Sequence, residues 1–399
     1  MQTLHQHFTV PYGYPVHFAS GVLDPENPLL AETLSSQRPP GTGPARFLAV
    51  VDAGLHAHHP GLPDRLADYA GAHPDRVVMS GAPVIVPGGE AAKNDPDLVT
   101  LLQRAVQEHR LCRHSYLVAV GGGAVIDLVG YAAATAHRGV RLVRIPTTVL
   151  SQNDAAIGVK NGVNAFGSKN FLGTFAPPHA VLNDPEFLVT LSDRDWRAGI
   201  SEALKVALIK DPEFFDLIET DAPLIAPPGR DEKAMGRLIH RCARLHLEHI
   251  ARGGDPFESG SSRPLDFGHW AAHRLEHLTG YGLRHGEAVA LGIALDTVYS
   301  ELVGLLDAAS RDRVLGVLDA CGFDLFVPQM ALRLEDPAHP DSLFQGIREF
   351  REHLGGRLTI MLLEAIGRGV EVHEVEPDHY RTAVEYLRDR ATASQGIRP

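Results

Sequence analysis

The run Tyr116-Leu-Val-Ala-Val120 stops on three consecutive glycines, Gly121 to Gly123, and an apolar-periodic stretch over 125–136 follows directly. A short, continuous apolar run bounded by glycine reads as a buried strand, and a side-chain-free turn into a helix opens a βαβ unit. The same rhythm surrounds it: 47–51, 76–79, 84–86 and 141–145 read as further strands, the last stopped by Pro146, and a helix is predicted over 95–109. This alternation restricts the chain to a parallel sheet covered by helices, with ligands expected at the carboxyl ends of the strands.

Beyond about residue 184 the period changes. Segments 196–209, 233–251, 269–278, 287–306 and 377–393 follow a 3.6-residue repeat. The expectation is an α/β Rossmann-like nucleotide-binding domain over 1–184 and a mostly α-helical domain over 185–399, with the active site in a cleft between them. No internal repeat is found, and Gly, Ser and Pro concentrate only in the loops 36–44 and 253–264.

At 399 residues the chain is long enough for two cores, and its formal net charge of -12 argues against nucleic acid or an anionic membrane as partner. Any anionic ligand must then be held by a local basic cluster. The three cysteines, Cys112, Cys242 and Cys321, show no CxxC pair, which suits a reducing compartment. The first residues lack a secretory pattern, and no apolar run approaches the ~20 residues of a membrane span. The expected location is cytoplasmic.

Several strand-end loops carry chemistry. Backbone N–H groups at Gly121-Gly122-Gly123, with the following helix dipole, suit a pyrophosphate, although a tight structural turn needs the same glycines. Pro87-Gly-Gly-Glu90 with Lys93, and Thr147-Thr148 after Pro146, offer polar groups at neighbouring strand ends. Asp52 suits an adenosine ribose or a helix cap. The segment 154–170 reads as an irregular loop holding Lys160 and Lys169, fit for a phosphate or polyol or simply solvated. Ser201-Glu202-Ala-Leu-Lys205 places a carboxylate in an otherwise apolar helix, where a metal ion or the lysine itself would be its partner.

The last group is Asp266-Phe-Gly-His269-Trp-Ala-Ala-His273, with His285-Gly-Glu287 twelve residues after His273. His269 and His273, four apart, share a helix face, and His285 opens a second helical run. Two imidazoles from separate elements plus a carboxylate would make a divalent-metal site with open positions, although a His pair at this spacing is as often a surface or capping feature.

Together and in this order, GGGAVIDLVGYAAATAHRGVRLVRIPTT, the 154–170 segment with GSKN, Glu202-Ala-Leu-Lys205, FGHxxxH and HGEAVALG resemble the 3-dehydroquinate synthases. The resemblance runs from about residue 87 to 293, more loosely to 369. It implies that Glu202, His269 and His285 bind a divalent metal, zinc or cobalt. It implies NAD along Asp52, Glu90, Lys93, Gly122, Gly123, Asp127, Thr147, Thr148 and Lys169. His273, Lys160, Asn170 and Arg351 would contact the phosphate of a phosphorylated sugar, and Arg138 would reach it from a neighbouring subunit of a homodimer. Asp154, Lys205 and Glu258 would complete the catalytic wall. In that family the metal polarises a hydroxyl while NAD+ takes its hydride. Phosphate then leaves by β-elimination, and hydride return, ring opening and an aldol step close a carbocycle.

Two departures concern the substrate. In 3-dehydroquinate synthases the acidic loop continues to an Arg and an Asn before FGH; here Ser262 and Asp266 occupy those positions, and the preceding Lys position falls near Glu248. A pocket without those cations disfavours a carboxylate. The sequence therefore favours the kind of substrate used by 2-epi-5-epi-valiolone and 2-deoxy-scyllo-inosose synthases, such as sedoheptulose 7-phosphate. The alternative is 3-dehydroquinate synthase proper, on 3-deoxy-arabino-heptulosonate 7-phosphate, with Arg263 restoring the cation. Iron-type alcohol and glycerol dehydrogenases are a further reading, but need neither the Lys–Asn segment nor the Glu202–Lys205 pair.

Overall fold

A computed structural model describes residues 2–38, 41–253, 257, 264–353 and 357–395. Three residues singled out above, Glu258, Ser262 and Arg263, lie outside them. The chain divides into two units, one of 1–146 with 158–184 and one of 147–157 with 185–399.

The strands of the first unit are β1 (Val16–Phe18), β2 (Ala45–Asp52), β3 (Val77–Met79), β4 (Val84–Val86), β5 (Tyr116–Gly121), β6 (Arg141–Pro146), β7 (Lys160–Ala165), β8 (Ser168–Phe175) and β9 (Ala180–Asn183). A seven-stranded sheet runs β1-β9-β6-β5-β2-β3, with β4 also on β2, and every pairing in it is parallel. β3 and β4 share one edge of β2, pairing with Ala45–Phe47 and Val50–Asp52 in turn. Every residue of β5 is buried, which is why its sequence is continuously apolar instead of alternating. The chain leaves β2 towards β3 and β5 towards β6, in opposite directions, so the carboxyl ends of β2 and β5 flank the point where a parallel sheet opens a crevice.

The segment read as an irregular loop is mostly an antiparallel hairpin, β7 on β8. Its reversal uses Phe166 and Gly167, both at positive φ (53° and 78°). The strands hide from a pattern-based reading because they are polar and glycine-rich, with Gly162 opposite Gly173. An added Cβ at either glycine would stand 3.0 Å from a carbonyl of the other strand. Fully buried Arg144 anchors the hairpin base, donating to Gly158 O at 2.6 Å and to Asn161 Oδ1 at 2.8 Å. Burial lowers that guanidinium to about 10, with Asp127 opposing, so it stays charged at neutral pH.

In the second unit the main helices are Asp193–Lys210, Pro212–Ile225, Glu232–Arg252, His269–Leu278, His285–Leu302, Ala308–Ala320, Gln345–His353 and Pro377–Gln395, with a hairpin of β10 (Ile360–Ala365) and β11 (Arg368–Val372). His285–Leu302 is the central helix, buried continuously from Ala288 to Ser300. A boundary at 184 would assign 147–157 to the sheet unit. They pack with the helices instead, because Asn153 Nδ2 donates to Gly199 O at 2.8 Å and Asp154 Oδ1 meets His246 Nε2 at 2.9 Å. Gly199 permits the approach, since a Cβ there would lie 2.5 Å from Leu150 N. Among the described residues no helix is long and apolar enough to cross a membrane.

Replacing Arg144 with Met should leave the Gly158 carbonyl and the buried Asn161 Oδ1 without their donor, costing about 3 kcal/mol in urea denaturation. A change under about 0.5 kcal/mol would contradict the anchoring role given to it.

Candidate functional site

Three elements of the helical unit deliver the site. Glu202 lies mid-way along Asp193–Lys210, while His269 and His285 are each the first residue of their helix. The Glu202 carboxylate is fully buried, and neither oxygen has a hydrogen bond of normal geometry. Lys205 Nζ abuts its Oε2. Nε2 of His285 and of His269 lie 3.4 and 3.7 Å from its Oε1.

The HGE motif explains how the helices come this close. A Cβ on Gly286 would sit 2.0 Å from Ala198 O, so only glycine lets the two helices touch there. Glu287 is a clamp, not a ligand: its carboxylate receives Arg194 Nε at 2.6 Å and Nη2 at 2.5 Å, and caps the backbone of Arg284 at 2.9 Å. A second close approach joins Gly292 and Gly268, where a Cβ on Gly292 would fall 2.0 Å from Gly268 O. Gly268 is left-handed (φ 76°) and starts the His269 helix. His269 Nδ1 faces Phe267 O at 3.2 Å, which leaves Nε2 for the pocket.

The electrostatics are those of a buried charge cluster. Burial pushes the Glu202 carboxyl up, but Lys205 and His285 outweigh it and hold the group at about 2. Burial opposes the Lys205 ammonium, yet Glu202, Asp154 and Asp266 keep it above its ordinary value. His285 is disfavoured by burial and held at about 9 by Glu276 and Glu202. His269 is driven well below its ordinary value by burial and then Lys205. Asp154 is half-buried; desolvation would raise its carboxyl, but His246 outweighs it and holds the group below its ordinary value.

Two of these residues escaped the sequence reading. Glu276, a buried carboxylate three residues past His273, faces His285 Nδ1 at 3.4 Å and so directs the opposite nitrogen at Glu202. Its spacing to His273 on one helix was the available signal. His246, one turn after Cys242, is what helix Glu232–Arg252 offers Asp154. Glu248, two residues on, pairs with Arg244 at 3.9 Å. His273 is exposed, its ring 5.4 Å from that of His269, and Asp266 sits in a 3-10 turn just before Phe267. Arg351 is exposed on Gln345–His353.

In the sheet unit, Lys93 is buried and bonds Asp127 Oδ2 at 2.6 Å, with Asn170 Oδ1 as its second acceptor. Asn170 therefore joins Lys93 and Asp127, while Lys160 is exposed at the start of β7. Lys169 Nζ meets Glu90 Oε1 at 3.2 Å. Gly122 precedes the helix Gly123–Thr135, whose first N–H groups point out of the carboxyl end of β5. Asp52 caps Ala53–His58, accepting from Gly54 N at 2.7 Å. A Cβ on Gly88 would come within 2.6 Å of the Asp52 carboxylate, so the glycine after β4 is needed beside it. Thr147 is buried and Thr148 is tied to Ser151, both in the segment that packs with the helical unit. Arg138 is exposed on a turn where it and His137 have positive φ (62° and 52°).

One carboxylate and two imidazoles whose donor atoms lie within 4.8 Å of one another, in a buried space, fit a divalent cation of zinc type. Another grouping, His273, Glu276 and His285, meets the same distance limit. It would need the nitrogen of His285 that already faces Glu276, and it is partly exposed.

Residues 83–198 match the 3-dehydroquinate synthase N-terminal family and residues 199–339 the 3-dehydroquinate synthase C-terminal family. The chain belongs to the 3-dehydroquinate synthase family. It is 34% identical to the 3-dehydroquinate synthase of Nitrosospira multiformis over 379 residues, 93% of this chain and 94% of that one. It is 33% identical to the 2-epi-5-epi-valiolone synthase of Streptomyces glaucescens over 365 residues, 91% of this chain and 87% of that one. The solved 2-epi-5-epi-valiolone synthase of Streptomyces hygroscopicus subsp. jinggangensis, with NAD+ and Zn2+ bound, superposes with a TM-score of 0.84 at 31% identity, covering 97% of this chain and all 100% of that one. The sheet unit and helical unit are thus the fold of a 3-dehydroquinate synthase-like sugar phosphate cyclase.

Glu276 faces His285 Nδ1 and leaves Nε2 directed at Glu202. Glu276→Gln should weaken Co2+ binding by about 10- to 100-fold in a chelator competition titration. Unchanged affinity would remove Glu276 from the centre.

Proposed function

We propose that this chain is an NAD- and divalent-metal-dependent cyclase that closes a neutral-headed sugar phosphate, such as sedoheptulose 7-phosphate, to a carbocycle with loss of phosphate. When bound, NAD+ exchanges a hydride with the substrate and the cation polarises the hydroxyl being oxidised. Glu202, His269 and His285 hold the cation. Asp154, kept ionised by His246, is placed to take the hydroxyl proton, and Lys205 balances the carboxylates around it. Lys160, His273 and Arg351 are assigned to the phosphate, with Arg138 reaching the site of a second subunit in a homodimer. Lys93, Asp127, Glu90 and Lys169 form the nucleotide cradle with Gly122 and Gly123.

The observation that carries the substrate class is the charge around Lys205. Three carboxylates, Glu202, Asp154 and Asp266, act on that one ammonium. A divalent cation beside them brings the local sum to about zero. A substrate carboxylate would then meet no net positive charge in this cluster, at a cost of several kcal/mol, or ~10³ in kcat/KM. A second reading, 3-dehydroquinate synthase proper, is supported by the name of the Nitrosospira multiformis relative.

The purified protein with Zn2+ and NAD+ should release phosphate faster from sedoheptulose 7-phosphate than from 3-deoxy-arabino-heptulosonate 7-phosphate. NAD+ should be needed only in substoichiometric amount, without NADH accumulating. Turnover of the second compound alone would make it a 3-dehydroquinate synthase proper, and NADH rising in step with substrate loss would make it a dehydrogenase.

A further inference from the structure

Asp296 is an anomaly in the central helix. It is fully buried within a run that is otherwise apolar or small, and neither the nucleotide cradle nor the cation set uses it. Its carboxylate collects three donors. Oδ1 accepts from Trp270 Nε1 at 3.0 Å and Tyr380 OH at 2.8 Å, and Oδ2 accepts from Gly268 N at 3.1 Å. The three belong to two elements: the turn and first residues of the His269 helix, and the helix Pro377–Gln395.

The Gly268 contact matters because of what that residue does. Gly268 is the left-handed residue immediately before His269, and its own helix lacks a side-chain cap. Asp296 instead fixes the turn from outside, accepting the N–H of Gly268 itself. On one side of Gly268, Phe267 O faces the His269 ring; on the other, Trp270 is bonded to Asp296 directly. The stacked rings of Tyr299 and Tyr380, 3.9 Å apart, back the arrangement. An apolar side chain would fill this core position at lower desolvation cost, so a retained carboxylate points to a geometric task.

We infer that Asp296 is a positioning residue of the cation centre: its buried carboxylate fixes the turn that presents His269 and ties that turn to the C-terminal helix through Tyr380. This rests on the cation reading of Glu202, His269 and His285 above.

The test is Co2+ titration of the full-length protein, followed by d–d absorption and chelator competition. Asp296→Asn keeps the shape and an acceptor for Trp270 and Tyr380 but can turn an N–H toward Gly268 N–H. It should weaken Co2+ about 10- to 100-fold and alter the absorption envelope. In a His269→Ala background the same change should cost nothing further, which a general loss of stability would not reproduce. A folded Asp296→Asn protein with wild-type affinity and spectrum would overturn the inference, as would equal weakening in both backgrounds. Should Asp296→Asn fail to fold, Tyr380→Phe, which removes one anchor and leaves the Gly268 contact, must weaken Co2+ several-fold; unchanged binding overturns the inference. Wild-type protein that binds no Co2+ would instead defeat the cation reading itself.

Discussion

The buried carboxylate of Glu202 is the interaction on which the helical unit depends. An ionised carboxyl in the interior is costly unless cations or strong donors surround it. Here Lys205 from the same helix and His285 from a second supply them, while His269 Nε2, from a third, faces the same carboxylate at 3.7 Å. That requirement dictates the local architecture. Three helices must approach at one point, and backbone can come so near only where Cβ atoms are missing, at Gly286, Gly268 and Gly292. The Arg194–Glu287 clamp then locks two of the helices beside the gap.

The sheet unit solves a related problem with the opposite sign. Lys93 is a buried ammonium satisfied by Asp127 and Asn170, at the carboxyl ends of strands where the sheet opens. An acidic protein with a formal net charge of -12 thereby keeps a buried basic group beside the opening of its sheet. Arg144 secures the hairpin that carries Lys160, Lys169 and Asn170, so the polar segment is built on a rigid base.

Much of this was legible in the sequence, for identifiable reasons. Strands β2, β5 and β6 are buried on both faces and announce themselves as apolar runs, and the long helices keep a clear 3.6 period. The β7–β8 hairpin was not legible, because its ladder is made by backbone groups of polar and glycine residues that carry no alternation. The packing of 147–157 with the helices was hidden too, since it rests on contacts to Gly199 and His246, distant in sequence. Glu202, His269, His273 and His285 stood out by type and spacing, and the resemblance to the 3-dehydroquinate synthases singled out Glu202, His269 and His285 among them. Their supports Glu276, His246 and Asp296 did not, because a lone polar residue on a helix shows its partner only after folding.

The central claim is that the Glu202 pocket is where the metal binds. Crystals of the protein loaded with Zn2+, measured on both sides of the zinc absorption edge, test it directly. One strong anomalous peak is expected about 2 Å from a Glu202 carboxylate oxygen and from Nε2 of both His269 and His285. A peak among His273, Glu276 and His285 Nδ1, with Glu202 left outside its coordination, would contradict it.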